Sequence, residues 1–399
     1  MDNWEKKYLK YKNKYLKLKN QIGGIVNTDL DIDTTYKIVD NSGIHIFKLI
    51  KKIGEGTSGT VNLIQNINTL ENCIIKISNK EKDRYNSSIL LEAEFLDDIN
   101  KHVSGNCTYK AHYYGNINGK NLSYLITDYL GQDLFEKNTD LEPNLIPSVI
   151  DKIVNCIIEY NKYLYHRDLK LDNIMIDSSN NVKIIDFGLS IKKDELEDGQ
   201  KLGYVNSSPE RIFRLVDQKF NLLDNEAIKT KTDYYGLFWI IINLICKDEV
   251  LYRYFEDMGL NIDYRFDKTE YQRILDFYLD ILSPQIELTD KFLLDLIEPS
   301  MFRKYKQYSG YFSLDNFIDF CVKNTRKDVI TKLFNNTDKL KVFIKDLVNL
   351  LLHFDPRKRA SLIDIRLYLL KFFIPPPPTV IPSPKKLSQI IFSDSSDSA

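Results

Sequence analysis

The chain has 399 residues, 43% of them hydrophobic and 28% charged, with a formal net charge of −1. That length and apolar content support a sizeable core and one to three domains. The near-neutral balance gives no general electrostatic case for nucleic acid or a membrane surface. Cys73, Cys107, Cys156, Cys246 and Cys321 are odd in number and form no C-x-x-C. They argue against a disulfide framework or a zinc site and fit a reducing compartment. The most apolar run, Leu237–Cys246, is too short to span a bilayer. The lysine-rich N-terminus lacks the apolar region of a secretory signal, so a non-secreted protein without a transmembrane segment is expected.

Residues 1–24 read as a basic amphipathic helix. Trp4, Tyr8, Tyr11, Tyr15, Leu18 and Ile22 step by four and three, a heptad-like apolar stripe. Seven lysines against Asp2 and Glu5 give residues 1–20 a charge of +5. Gly23-Gly24 ends the helix. Three readings fit the stripe: packing on the domain, pairing with a partner helix, or lying on an anionic surface. Three heptads are marginal for an isolated coiled coil, so domain or partner packing is preferred. Residues 25–47, acidic around Asp29–Asp33, read as a linker with one strand.

Residues 47–64, F-K-L-I-K-K-I-G-E-G-T-S-G-T-V-N-L-I, bracket Gly54, Gly56 and Gly59 with alternating strands. A G-x-G-x-x-G is weak by itself. Here no helix opens after the third glycine, which excludes the dinucleotide-binding form. Glycines let backbone N–H groups approach phosphate oxygens without a Cβ clash. Cys73–Ile77 is the next strand and carries Lys76. A helix follows, S-S-I-L-L-E-A-E-F-L-D-D-I, on which Glu92 shares the inward face of Phe95 and Leu96. Leu122–Leu134 reads as a strand running into a Gly-containing crossing, and residues 145–164 as an apolar helix.

The stretch Tyr165–Gly188 carries the chemistry. Two apolar runs, Ile174–Ile176 and Val182–Ile185, flank the turn-forming Asp177–Asn181, a β-hairpin pattern. An antiparallel hairpin brings Asn173, before the first strand, beside Asp186, after the second. Asp168 lies five residues before Asn173. Two carboxylates and an amide oxygen then converge, a hard-oxygen set that suits Mg²⁺ shared with substrate phosphates.

H-R-D-L-K-L-D-N followed by D-F-G resembles the catalytic loop and metal loop of eukaryotic-type protein kinases. The resemblance implies an α+β, bilobal kinase-like fold over residues 48–374. The small β-rich lobe would span 48–130 and the larger, mainly helical lobe 131–374, with an insertion within 247–340 that includes helical stretches at Thr269–Leu282 and Thr289–Leu296. Residues 375–399 are a Pro/Ser-rich tail expected to be disordered. The implied activity is a serine/threonine protein kinase using ATP and Mg²⁺ on protein substrates.

By the same resemblance, Ile53, Gly54, Glu55, Gly56, Thr57, Ser58, Gly59, Thr60 and Val61 form the loop over the ATP phosphates, with Val61 against the adenine. Lys76 holds the α- and β-phosphates and pairs with Glu92, with Glu94 the second candidate. Thr127 is the gatekeeper, the backbone of Asp128 and Leu130 meets the adenine, Asp133 meets the ribose, and Met175 completes the ATP site. Asp168 is the catalytic base and Lys170 stabilises the γ-phosphate. A lysine there is typical of Ser/Thr enzymes. Asn173 and Asp186 hold the metal. His166, Arg167, Glu210, Asp233 and Arg359 are structural: Glu210, of Ser208-Pro209-Glu210, pairs with Arg359, and Asp233 opens the central helix that anchors the catalytic loop.

Ser190, Tyr204, Ser207 and Ser208 are the candidate phosphorylation sites, and the acidic run Asp194–Asp198 is a candidate substitute for a phosphate. The chain departs from the family pattern at Ile74, where alanine usually meets the adenine, at Tyr204, where threonine is usual, and at Phe238, where glycine is common. These departures keep open an ATP-binding pseudokinase or scaffold that acts through partners. A small-molecule kinase of related fold is a third reading, opposed by Ser208-Pro209-Glu210 and Arg359. The N-terminal Y-L-K-Y-K-N-K-Y-L-K-L-K-N-Q-I-G-G resembles a segment shared by otherwise unrelated proteins of giant DNA viruses of amoebae. That resemblance implies a viral protein of the host cytoplasm or virion, with residues 1–22 as a helix-pairing or packaging contact.

Overall fold

The computed structural model describes residues 35–40, 43–55, 59–78, 83–103, 107–116, 122–193, 226–246, 249–258, 276–278, 280–281, 312–353 and 358–373. The expected N-terminal helix, the Pro/Ser tail, Gly56–Ser58, the Asp194–Asp198 run and Tyr204–Glu210 lie outside them.

The N-terminal part is one antiparallel sheet. Strands β1 (Thr35–Asp40), β2 (Gly43–Glu55), β3 (Gly59–Asn66), β4 (Asn72–Ser78), β5 (Ala111–Asn116) and β6 (Ser123–Asp128) run in the spatial order β1-β2-β3-β4-β6-β5. Helix α1 (Asp83–His102) connects β4 to β5 through the segment that follows it. Alternation along β4 sends Cys73 and Ile75 to one face and Ile74 and Lys76 to the other. The first face joins Phe47, Leu49, Ile64 and Ile126 in a small core of its own.

Two expectations need correcting here. Residues 25–47 contain one complete strand and the start of another: T-Y-K-I-V-D pairs with the first half of β2, from Thr35 opposite Lys48 to Asp40 opposite Gly43. Tyr36 and Ile38 pack against the small core together with Tyr113 of β5. The one strand expected in this segment is present; what departs from the expectation is that it belongs to the sheet rather than to a linker. The cysteines depart as well. Cys107, just beyond α1, is joined by a disulfide to Cys156, with Cα atoms 5.3 Å apart. Packing of distant elements creates that proximity, and no local spacing announces it.

The larger core is mainly helical. It takes in α3 (Ile146–Tyr160), α4 (Glu226–Cys246), α5 (Val250–Asp257), α6 (Leu314–Asn324), α7 (Thr337–Leu351) and α8 (Leu362–Phe373), with the short α2 (Leu134–Lys137) preceding them. Helix α3 starts with Pro147 in its first turn, where a missing N–H costs nothing. It buries Ile146, Val149, Ile150, Ile153, Val154 and Ile157 at helical spacing. Helix α4 is buried on every side from Thr232 to Ile242, as a helix through the middle of a core must be. It begins at Glu226, so Asp233 sits about two turns inside it rather than at its start.

Of the stretch Thr269–Leu282, residues 276–278 and 280–281 are described as helical, and Phe277, Tyr278 and Ile281 are fully buried in the large core. Thr289–Leu296 lies outside the described residues. Among the described residues no helix is long and apolar enough to cross a membrane.

Strand β1 thus belongs to the folded unit. Replacing Tyr36 and Ile38 together by alanine should destabilise the protein by about 1–3 kcal/mol, since both are partly buried. A lowered midpoint in thermal or urea unfolding is the expected result.

Candidate active site

Between the sheet and the helices lies the Tyr165–Gly188 stretch. Strands β9 (Ile174–Ile176) and β10 (Val182–Ile184) pair in the register Ile174 opposite Ile184 and Ile176 opposite Val182. The Asp177 carboxylate closes their turn by accepting from the backbone N–H of Ser179 and Asn181, both at 2.8 Å. Asn180 takes the left-handed conformation that such a turn requires. Where the hairpin meets its base, the Ile185 N–H donates to the Asn173 carbonyl at 2.9 Å. Asp186 follows directly, with φ 65° and ψ 67°.

The loop before the hairpin is held from α4. The Asp233 carboxylate accepts from the backbone N–H of His166 at 2.8 Å and of Arg167 at 2.7 Å. Arg167 has φ 71°, a conformation that a non-glycine residue keeps only when its surroundings enforce it. Gly236, one turn on, makes the close approach possible. A Cβ there would lie 2.7 Å from the Leu169 Cβ and 2.8 Å from its carbonyl oxygen.

The His166 ring is committed on both sides. Nε2 lies 2.9 Å from the Ile185 carbonyl, which only accepts, so Nε2 carries the proton and Nδ1 accepts the Asp168 N–H at 3.3 Å. Such a histidine ties the loop to the hairpin and has no free nitrogen for acid–base work. Phe187 packs edge-on to it, ring centroids 5.0 Å apart.

Asp168 Oδ2 accepts from Lys170 Nζ at 2.9 Å and from Asn173 Nδ2 at 3.0 Å. Asn173 Nδ2 also reaches the Asp168 carbonyl, at 2.8 Å. With that nitrogen engaged, Oδ1 is the Asn173 atom left to a metal. Burial alone would lower the Lys170 ammonium, but the Asp168 and Asp172 carboxylates outweigh it and hold it above its ordinary value.

Lys76 joins the two halves of the site. Its Nζ lies 2.7 Å from Glu92 and 2.9 Å from Asp186. Glu92 is buried while Glu94 is exposed, so Glu92 is the partner. The Tyr109 hydroxyl donates to the other oxygen of Glu92 at 3.4 Å. Burial raises Glu92 above the ordinary carboxylate range, with Lys76 opposing and Asp186 adding to the effect. For Asp186, burial also pushes upward, but the Lys76 charge and hydrogen bond, with help from Lys170, bring it down to about 2. It is therefore ionised at neutral pH, and its side chain is 39% exposed, open to a cation.

The surrounding positions fall as follows. Val61 stands opposite Lys76, and Gly54 opposite Val61. Ile53 is 49% exposed. At Gly59 a Cβ would overlap the Ile77 carbonyl, so only glycine fits there. Glu55 and Thr60 are opposite each other at the open end of β2 and β3. Ile74 stands across from Thr127, and directly opposed residues share a face. The Asp128 side chain turns to His112 Nε2 at 2.7 Å and the Lys110 N–H at 2.9 Å. Leu130, beyond it, is partly buried against the large core.

Asp133, in the two-residue strand β7 (Gln132–Asp133), faces Met175 of β9. It caps α2 by accepting the Glu136 N–H at 2.8 Å, and burial pushes it up to about 6. Arg359 is buried, donates from Nε to the His353 carbonyl at 2.9 Å, and lies over the Tyr235 ring at 5.7 Å. Its expected partner Glu210 is outside the described residues. Ser190 is buried, with its hydroxyl 3.4 Å from the His166 carbonyl, which removes it as an accessible phosphorylation site.

Residues 47–367 match the family model for the protein kinase domain. The chain belongs to the protein kinase family. Among similar proteins are CBL-interacting serine/threonine-protein kinase 8 of Arabidopsis thaliana and a probable serine/threonine-protein kinase, fnkB, of Dictyostelium discoideum. The first is 31% identical over 158 residues, covering 36% of this chain and 33% of that protein. The second is 30% identical over 183 residues, covering 44% and 31%. The matched region spans about a third of the length of the curated relatives. A solved kinase domain superposes with a TM-score of 0.54 at 20% identity, over 86% of this chain and 98% of that one, which shows the kinase fold.

A kinase domain generally uses ATP and a divalent metal, and the donors here fit both. Among the described residues no three His, Cys, Asp or Glu side chains gather into a metal cage. An ionised Asp186 and an amide oxygen of Asn173 instead suit Mg²⁺, which leaves most of its coordination to water and phosphates.

Gly236 and Tyr109 were missed by sequence reasoning. A glycine inside an apolar helix was the available signal for the first; Tyr109 stands in no motif. Gly236→Ala should displace Leu169, costing about 1–3 kcal/mol in unfolding experiments and depressing phosphoryl transfer as well. Asp133 makes a pH prediction. Its folded value lies above the usual 3.8, so its contribution to stability grows as pH falls through 6. The kinase resemblance implies that Asp133 meets the ribose, where it would accept hydrogen bonds best when ionised. Adenosine affinity should therefore fall roughly tenfold as pH drops below 6, and Asp133→Asn should flatten that dependence in a calorimetric titration.

Proposed function

We propose that this kinase transfers the γ-phosphate of ATP to serine or threonine hydroxyls of protein substrates. The observation that carries the reading is Lys76 held between Glu92 and Asp186 while Asp168 is held by Lys170 and Asn173. Phosphoryl transfer asks a protein mainly for positioning and charge neutralisation. Lys76, fixed by Glu92, binds the α- and β-phosphates. Asp168 takes the proton of the acceptor hydroxyl and orients its oxygen. Lys170, two residues on, balances charge on the transferring group and favours a Ser/Thr acceptor by its likeness to such enzymes. Mg²⁺ held by Asn173 and Asp186 supplies further neutralisation of phosphate charge.

One observation supports the second reading, an ATP-binding scaffold. Ile74 shares a face with Thr127 and adds bulk where the adenine would lie. We also read residues 1–24 as a sorting or packaging segment of a viral protein, apart from the transfer chemistry.

The test is transfer of labelled phosphate from Mg-ATP to generic Ser/Thr substrates. Asp168→Asn should lower kcat by roughly 10²–10⁴-fold, the range for a general base. Lys76→Met should also abolish most transfer. A wild-type protein that binds ATP but transfers nothing with Mg²⁺ or Mn²⁺ would establish the scaffold reading instead.

A further inference from the structure

Helix α1 carries Glu92, and its C-terminal end is tied to the large core by several contacts. Asp98 pairs with Lys192 of β11 (Ile191–Lys192) at 2.7 Å. The His102 ring stacks on Tyr163, centroids 4.7 Å apart. Just beyond the helix, the Tyr160 hydroxyl donates to the Cys107 carbonyl and Lys183 Nζ to the Thr108 carbonyl. The Asp98–Lys192 pair is more than two-fifths exposed on both sides, and such pairs hold weakly. The Cys107–Cys156 disulfide is the covalent tie. It joins the segment after α1 to the middle of α3 across 49 residues of sequence.

The other three cysteines are buried free thiols. Of the five cysteines, Cys107 and Cys156 are the pair joined by a disulfide. In a reducing compartment a disulfide of this kind is characteristically transient and sensing rather than a permanent staple.

We propose that Cys107 and Cys156 form a reversible thiol–disulfide site whose oxidation state sets how firmly α1, and with it Glu92, is held against the large core. The oxidant is a low-molecular-weight disulfide. One cysteine loses its proton, and its thiolate attacks a sulfur of the oxidant, forming a mixed disulfide and releasing one thiol. The second cysteine, deprotonated in turn, attacks the protein sulfur of that mixed disulfide, closing Cys107–Cys156 and releasing the second thiol. The protein gives up two electrons and two protons, and the two released thiols carry them away. Both cysteines are only 2% exposed, so exchange proceeds through local opening around Cys107 and is slow compared with side-chain motion.

The activity consequence rests on the kinase reading, so the primary measurement does not use activity. The full chain is equilibrated in glutathione buffers of graded ratio, the thiols are trapped by alkylation, and the Cys107 and Cys156 peptides are quantified by mass spectrometry. Hydrogen exchange of residues 83–102 is followed on the same samples. Oxidation should slow exchange of the α1 amides roughly tenfold or more, and phosphoryl transfer should rise roughly fivefold or more, the lower range of coupling between sites. Cys107→Ser and, separately, Cys156→Ala should be blind to the buffer and stay at the reduced rate. The proposal falls if both thiols remain alkylatable at every ratio, if the bond forms without slowing exchange in α1, or if the variants still respond. A protein that transfers no phosphate in either state refutes the kinase reading alone. Should the variants fail to fold, the wild-type titration decides.

Discussion

The ammonium of Lys76, caught between Glu92 and Asp186, is the interaction on which the arrangement depends. Lys76 comes from the sheet, Glu92 from α1 and Asp186 from the end of the β9–β10 hairpin, so one cation joins three separately built pieces. Removing Lys76 would leave the buried Glu92 carboxylate without its cation, which costs more than the intact pair gains. The set also has a fixed imbalance: one positive charge faces two negative ones. Asp168 and Lys170 are close to neutral as a pair, so the excess negative charge sits at Asp186. A divalent cation bound there would meet that excess where the side chain is most open, and the depressed pKa of Asp186 keeps its carboxylate ionised at neutral pH.

The other side of the site depends on α4. Two consecutive backbone N–H groups, of His166 and Arg167, point at one carboxylate, Asp233, inside an apolar core. Buried backbone donors need acceptors, and a single aspartate meets both needs while fixing the loop's direction. The left-handed Arg167 is the local cost of that turn. Gly236 and the His166 ring then set the height and tilt of the loop, so that Asp168 and Asn173 share hydrogen bonds rather than merely standing near each other.

What was legible in the sequence was local or periodic. The β9–β10 hairpin follows from two apolar runs around a five-residue turn, and its second strand ends at Ile184, one residue short of the expected Ile185. Glu92 was legible because helix spacing turns one charged residue inward, and Lys76 because it falls where the kinase resemblance places its lysine. Non-local pairing was not. Strand β1 is six residues long and acquires its meaning from β2 and Tyr113. The Cys107–Cys156 bond depends on how α3 docks beneath the segment after α1, and nothing near either cysteine encodes it. Ser190 looked like any hydroxyl of a polar segment, yet the pairing of Ile191 with Tyr165 draws it under the loop.

These cases point to a common feature of the fold. The catalytic loop is anchored redundantly, by Asp233, Gly236 and His166, all buried. Glu92 faces the sheet through Lys76, while Ile89, Ala93, Phe95, Leu96 and Ile99 of the same helix are buried in the large core. The far end of α1 adds polar and covalent ties, where Asp98, His102 and Cys107 meet the β11 strand, Tyr163 and α3. A rigid helix transmits a restraint along its axis at about 1.5 Å per residue, so fixing Asp98 and His102 limits how far Glu92, six and ten residues back, can swing from Lys76. The exposed ion pair and ring stack are weak restraints and yield to solvent, whereas a covalent bond does not. Among the contacts at that end, the disulfide is the one that solvent does not loosen.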